Sequence, residues 1–147
     1  MKQEITFVAY KKRPCKKKSR KPRTKSRQAL ERDLWKVFSL YIRKRDGRCM
    51  MGTSFQGYLC SGPLQAGHII SRRKLPTKYD EMNVWGQCAR HNWIHNRTPE
   101  TYINWFIKTH GAEEFAALVT RSERPGKALN TKELQEKTEY YLHLLTS

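Results

Sequence analysis

The chain has 147 residues and a formal net charge of +17, with a pI near 10.1. That length suits one compact domain with an appended arm, and that charge calls for a polyanionic partner: nucleic acid first, an acidic membrane surface second. No apolar run approaches the roughly 18 residues that span a bilayer, and the opening MKQEITFVAY has no secretory pattern, so a cytoplasmic protein is expected.

Residues 1–27 hold twelve basic side chains and one acid, Glu4, with nothing from Lys11 to Arg27 able to build a core. They read as a basic, flexible DNA-binding arm, and residues 28–147 as the folded domain. From Arg27 to Arg45, Leu30, Leu34, Val37, Phe38, Tyr41 and Ile42 recur at three- and four-residue spacing, which predicts an amphipathic helix ending at Asp46-Gly47. Between Cys49 and Gln87 glycine and proline interrupt the pattern repeatedly, so short strands and loops are expected. A short helix follows over Cys88 to Asn96. Thr98-Pro99 opens another that ends at His110-Gly111. Ala112 to Thr120 forms the next, with Phe115, Leu118 and Val119 inward. Asn130 and Glu133 resemble a capping box for a last helix to about Leu145, with Leu134, Thr138, Tyr141, Leu142 and Leu145 on one stripe. Trp35 and Trp105 lie on helical stripes and are expected in the core, whereas Trp85 and Trp93 flank the central region.

Four cysteines in an intracellular chain point to metal more than to disulfides. Cys88 and His91 form a C-x-x-H pair, and Cys49 and Cys60 stand upstream. Three thiolates and an imidazole suit tetrahedral zinc, whose binding would stabilise a glycine-rich centre poor in apolar residues. The alternative is ordinary buried thiols with His91 at the surface, and the ten-residue step from Cys49 to Cys60 is long for a zinc knuckle. Cys15 has no partner nearby.

The central stretch reads AGHIISRR, then Asn83, then CARHNWIHN. His68, Asn83 and Asn92 resemble the three positions of the HNH motif, with asparagine third. The segment LWKVFSLYIRKRD followed by AGH, SR and NVWGQCARHN is similar to the phage NinG/Rap family of recombination endonucleases, over roughly residues 34–120. The resemblance implies an α+β fold: a ββα-metal (HNH, or His-Me finger) core clamped by zinc, flanked by an N-terminal amphipathic helix and C-terminal helices. It implies cleavage of branched DNA such as Holliday junctions, in a bacterial host cell. The arm departs from the family, in which a cysteine-rich knuckle is expected.

The chemistry follows the residue types. A neutral imidazole can take a proton from water at physiological pH, which makes His68 the candidate general base. By the resemblance, Asn83 holds the hairpin loop and orients the histidine. Asn92 offers a hard oxygen suited to Mg²⁺ or Mn²⁺, which would bridge the scissile phosphate and the leaving oxygen. Gly67 stands where many HNH enzymes have a second ligand, so Asn96, one helical turn beyond Asn92, is the first substitute, with Asp80 and Glu81 behind it. His95 is placed to assist the leaving group or to contact phosphate. Arg72 is favoured over Arg73 to grip the scissile phosphate, strand alternation pointing the two apart. Cutting both strands of a junction requires two active centres, so a homodimer through apolar surface on residues 98–145 is expected. Two other functions fit the sequence: a sequence-specific or nonspecific HNH nicking nuclease, and a noncatalytic zinc-dependent nucleic-acid-binding protein.

Overall fold

The computed structural model describes residues 24–52, 57 and 59–147. Most of the basic arm and Cys15 lie outside the described residues. The order of elements is helix α1 (Arg27–Asp46), strand β1 (Leu64–His68), a 3-10 turn (Leu75–Thr77), strand β2 (Val84–Cys88), and helices α2 (Ala89–His95), α3 (Pro99–His110), α4 (Ala112–Glu123) and α5 (Thr131–Thr146). Among the described residues the fold is therefore a mixed one, mostly helical around one small two-stranded sheet.

The side chain of Ser26 caps α1 by accepting from the Ala29 N–H, and Gly47 ends it with φ +63°, a left-handed conformation that glycine adopts without strain. Leu30, Leu34, Phe38 and Ile42 are buried at a four-residue interval, so one stripe of α1 faces the core. That stripe meets Leu134 and Tyr141 of α5 and Val84 of β2. Arg27 donates to the Leu129 carbonyl near one end of the pair, and Lys44 donates to the Leu145 carbonyl near the other. The two helices therefore run side by side in the same direction. The expected capping box is present in α5, the Asn130 side chain accepting from the Glu133 N–H and Glu133 accepting from the Asn130 N–H.

β1 and β2 pair antiparallel, with Gly67 opposite Trp85 and His68 opposite Val84. Alternation divides the hairpin into two faces. Ala66 and Val84 pack against α1 and α5. The opposite face carries Gln65, Gly67, Trp85 and Gln87 and meets α2 and α3. A second core there gathers Met51, Ile69, Tyr102, Trp105, Phe106 and Leu118. Asp46 latches α1 to the sheet, its carboxylate accepting from the Gly86 N–H at 2.6 Å. Gly86 has no room for a side chain, because a Cβ there would lie 3.0 Å from the Arg48 carbonyl oxygen.

Three sequence expectations are corrected. Val119 and Leu142 are exposed, because each adjoins a buried residue, Leu118 or Tyr141, and the helical rotation carries it off the inward stripe. Arg72 and Arg73 occupy a turn rather than a strand, so alternation does not separate them. Trp35 is only partly buried, and it walls the cleft described next.

Candidate metal centre and adjoining cleft

Two sites lie at opposite ends of the hairpin. At the first, the Sγ atoms of Cys49, Cys60 and Cys88 and a ring nitrogen of His91 all fall within 4.8 Å of one another. His91 Nδ1 is 3.3 Å from Cys49, 3.7 Å from Cys60 and 3.2 Å from Cys88. Donors around tetrahedral zinc, with Zn–S of about 2.3 Å and Zn–N of about 2.0 Å, stand roughly 3.5–3.8 Å apart. The group therefore fits a structural metal such as zinc.

The backbone is arranged to present these donors. Cys88 closes β2 and caps α2, its sulfur accepting from the N–H groups of His91 and Ser61. Burial pushes the Cys88 thiol up, but those two N–H donors, together with the thiols of Cys49 and Cys60, outweigh it and hold the thiol below its ordinary value. Cys49, without as much support, is pushed up to about 12 by burial. The Ser61 and Pro63 carbonyls accept the first N–H groups of α2, from Arg90 and Ala89. Gly62 sits between them at φ +78°, where a Cβ would lie 2.9 Å from that of Ala89. The long step from Cys49 to Cys60 is closed in part by the Cys60 thiol, which donates to the Gly52 carbonyl at 2.9 Å.

The second site is a cleft of about 550 Å³ lined by Trp35, Gly67, His68, Arg72, Asn92, His95 and Asn96 among others. Of the residues expected from the sequence, His68, Arg72, Asn92, His95 and Asn96 line this cleft, and Asn83 lies buried behind it. His68 ends β1. Its Nε2 lies 2.9 Å from the Lys78 carbonyl, which can only accept, so the proton is on Nε2 and the Nδ1 lone pair is left bare. The Trp35 indole stacks on the same ring. Burial holds His68 below the ordinary histidine value, and the charges of Arg72 and Lys78 act in the same direction, outweighing the Lys78 carbonyl.

Asn83 fixes the loop that carries the Lys78 carbonyl. Its Oδ1 accepts from the Ile70 N–H at 2.7 Å, and its Nδ2 donates to the carbonyls of Ile70 and Thr77. The asparagine thus ties both ends of the connection between the strands.

Asn92 projects from α2, where Nδ2 donates to Gln65 Oε1 at 2.7 Å. That bond turns Oδ1 toward Gly67. A Cβ built on Gly67 would lie 3.1 Å from Asn92 Oδ1 and 2.5 Å from Oε1 of Gln87, so the two carboxamides fill the space a side chain at position 67 would need. Asn96 caps α2 and donates its Nδ2 to the Asn92 carbonyl. Asp80 is paired with Arg121 and the Met82 N–H, and Glu81 accepts from Tyr41 and Tyr141. Both carboxylates are engaged in the fold. His95 packs edge-on against Tyr102, and burial and the neighbouring His68 lower it to about 4. Sequence reasoning missed Trp35, Gln65, Lys78 and Gln87 as parts of this site, and no motif marks them.

Arg72 also lines a second hollow with Arg32, Arg73 and Lys78, which continues from His68 along α1. Trp93 is 56% exposed and lies under the Arg97 guanidinium, 3.6 Å from the ring centre. Trp85 packs on Trp105 and under Arg45. Among the described residues no helix is long and apolar enough to cross a membrane.

The fold and its sites define a small mixed α and β protein with a three-cysteine, one-histidine centre that can hold a metal and a cleft lined by His68, Arg72 and Asn92 at the far end of its hairpin. The family model of the bacteriophage lambda NinG protein matches residues 6–146, and the chain belongs to that family. The match reaches well beyond the central region that carries the resemblance and takes in most of the basic arm. Membership suggests a role related to phage recombination. No curated protein and no solved structure matches the chain.

Proposed function

We propose that this protein is a metal-dependent endonuclease that hydrolyses phosphodiester bonds in branched DNA, with His68 as the general base. The observation that carries the reading is the state of the His68 ring. Nε2–H is committed to the Lys78 carbonyl, burial and two nearby cations keep the imidazole neutral, and the Nδ1 lone pair is the basic atom left at a cleft lined by Asn92 and Arg72. Strands β1 and β2 with helix α2 are read as the ββα-metal core of the HNH class, and the zinc centre as its clamp. The family and the net charge of +17 support DNA as the substrate.

In this reading, Nδ1 of His68 removes a proton from the water that attacks phosphorus. Asn83 holds the loop whose carbonyl keeps the ring in that tautomer. The Arg72 guanidinium pairs with the scissile phosphate. His95 is neutral at physiological pH and serves as a hydrogen-bonding wall rather than a cation. Asn92 Oδ1 would hold Mg²⁺ or Mn²⁺, which would supply charge neutralisation for the phosphate and the leaving group. Two such centres are needed to cut both strands of a junction, and the exposed Val119, Tyr140 and Leu142 provide apolar surface for a homodimer.

The test is cleavage of matched four-way-junction and linear duplex DNA by wild type and His68→Ala, with Mg²⁺, with Mn²⁺ and with EDTA. Selective metal-dependent cutting of the junction by wild type, with a mutant that binds but does not cut, is expected. Equal cutting of both substrates would replace the junction reading with a nicking nuclease. Tight binding by both proteins without cleavage would make the chain a binding protein.

A further inference from the structure

We infer that Oε1 of Gln87 is the second protein ligand, beside Oδ1 of Asn92, for a Mg²⁺ or Mn²⁺ ion bound between the hairpin and α2. This rests on the reading above, that the cleft takes a divalent cation through Asn92.

The two oxygens converge on one spot. They lie 2.5 and 3.1 Å from the point where a Gly67 side chain would begin. Asn92 is aimed there because Gln65 holds its Nδ2. Gln87 reaches the same spot from β2, two residues along from Trp85, the partner of Gly67, and so on the same face of the sheet.

Gln87 is fully buried, and its Oε1 has no hydrogen-bond partner. The amide faces the Tyr102 hydroxyl, which donates to the Gly67 carbonyl and which the Gln87 N–H side can serve as donor. Buried carboxamides without partners are rare in folded proteins, because desolvation without a compensating contact is costly. A cation answers the Oε1 side of that deficit, and neutral carboxamide oxygens are hard donors of the kind Mg²⁺ and Mn²⁺ accept.

The carboxylates are engaged: Asp80 and Glu81 are tied to Arg121 and to the tyrosines of α1 and α5. Asn96 commits its Nδ2 to the Asn92 carbonyl at the end of α2, whereas Gln87 Oε1 is buried at the spot that Asn92 Oδ1 faces. Gly67 therefore marks no lost ligand. A glycine there leaves the room that Gln87 occupies, and the oxygen comes from the neighbouring strand instead.

The experiment is a Mn²⁺ titration of the zinc-loaded full chain, followed by electron paramagnetic resonance, for wild type, Asn92→Ala, Gln87→Met and Gln87→Glu. Zinc content and the metal-free melting temperature are measured beside it. Gln87→Met keeps the volume and removes the oxygen. It is expected to weaken Mn²⁺ binding at least as much as the roughly 10–100-fold that loss of an outer-shell partner causes, with zinc content unchanged. Gln87→Glu keeps the shape and adds charge, so it is expected to bind Mn²⁺ more tightly than wild type and to gain more melting temperature from it. If Gln87→Met does not fold, Gln87→Glu alone decides, and unchanged or weaker binding by it overturns the inference. Wild-type affinity in Gln87→Met, with affinity lost in Asn92→Ala, overturns the role of Gln87 and leaves the cleft reading intact. No Mn²⁺ binding by wild type, or wild-type affinity in Asn92→Ala, overturns the cleft reading itself and the inference with it.

Discussion

The indole of Trp35 lies nearly parallel to the imidazole of His68, their ring centres 5.1 Å apart and their planes 16° apart. One ring comes from the middle of α1 and the other from the end of β1, so the contact joins the helical layer to the proposed base. With the Lys78 carbonyl on the ring edge and the indole on its face, the imidazole has one orientation. Trp35→Ala is expected to lower the cleavage rate by about 10- to 100-fold, the scale on which loss of positioning acts, while DNA binding and zinc content stay as in wild type. Trp35→Phe retains most of the rate. A wild-type rate in Trp35→Ala would remove Trp35 from the machinery.

Asn83 is fully buried and bonds three backbone groups, the Ile70 N–H and the carbonyls of Ile70 and Thr77, the last shared with the Asp80 N–H. Asn83→Ala leaves the two Ile70 groups without this partner and is expected to cost about 1–3 kcal/mol in urea unfolding. Amide exchange at Ile70 should accelerate ahead of that at Leu34 in α1. Uniform exchange across both sites would show that the asparagine stabilises the whole domain and not the loop.

Acid should weaken the fold through three histidines. His68, His95 and His110 are all held below the ordinary value by burial, His95 at about 4. In the unfolded chain each takes up its proton near 6.5. Between that value and the folded one the unfolded state binds more protons, so stability falls as pH drops through this window and levels off below about 4 for His95. His95→Gln is expected to flatten the loss between pH 6.5 and 4.5, measured by urea unfolding with zinc content followed at each pH. An unchanged slope would remove His95 from the acid lability and leave it to His68, His110 and the cysteine–histidine centre.

A metal held by Cys49, Cys60, Cys88 and His91 would set the hairpin base. Cys49 follows α1, Cys60 precedes β1, and Cys88 with His91 joins β2 to α2, so one ion would tie four segments together. Cys88→Ser is expected to lose zinc and cooperative melting of the central region, since metal binding in such centres is largely folding free energy. Wild type treated with a strong chelator should behave alike. A cooperative melt indifferent to the chelator would show that the thiols are simply buried. The cleft depends on this clamp, because Asn92 is the residue after His91.

The helices were legible because their signals are local. The four-residue recurrence from Leu30 to Ile42, the proline after Thr98 and the Asn130–Glu133 box each lie within one or two turns of chain. The strands were not placed, because each is five residues long and has a glycine, Gly67 or Gly86, near its middle. Those glycines are needed where Gln87 and the Arg48 carbonyl approach, so the tertiary packing that requires them erases the strand pattern. A C-x-x-H pair announces a metal from spacing alone, whereas Gln87, a polar residue between a glycine and a cysteine, gives no sign that it is buried. Trp35 was assigned to the core because helical spacing fixes which stripe faces inward, not which stripe-edge residue reaches a neighbouring loop.

The side-by-side pairing of α1 with α5 has a consequence for how the protein is made. Leu34, Phe38 and Ile42 meet Leu134 and Tyr141, so α1 finds this partner only once α5, about ninety residues further along, has been translated. Until then the apolar stripe of α1 has no cover from α5, and Trp35 stands on an unanchored helix. The nascent chain, basic arm foremost, can meet nucleic acid before the cleft is assembled. On the function proposed above, cutting would wait on translation of α5, whereas charge-driven attachment would not.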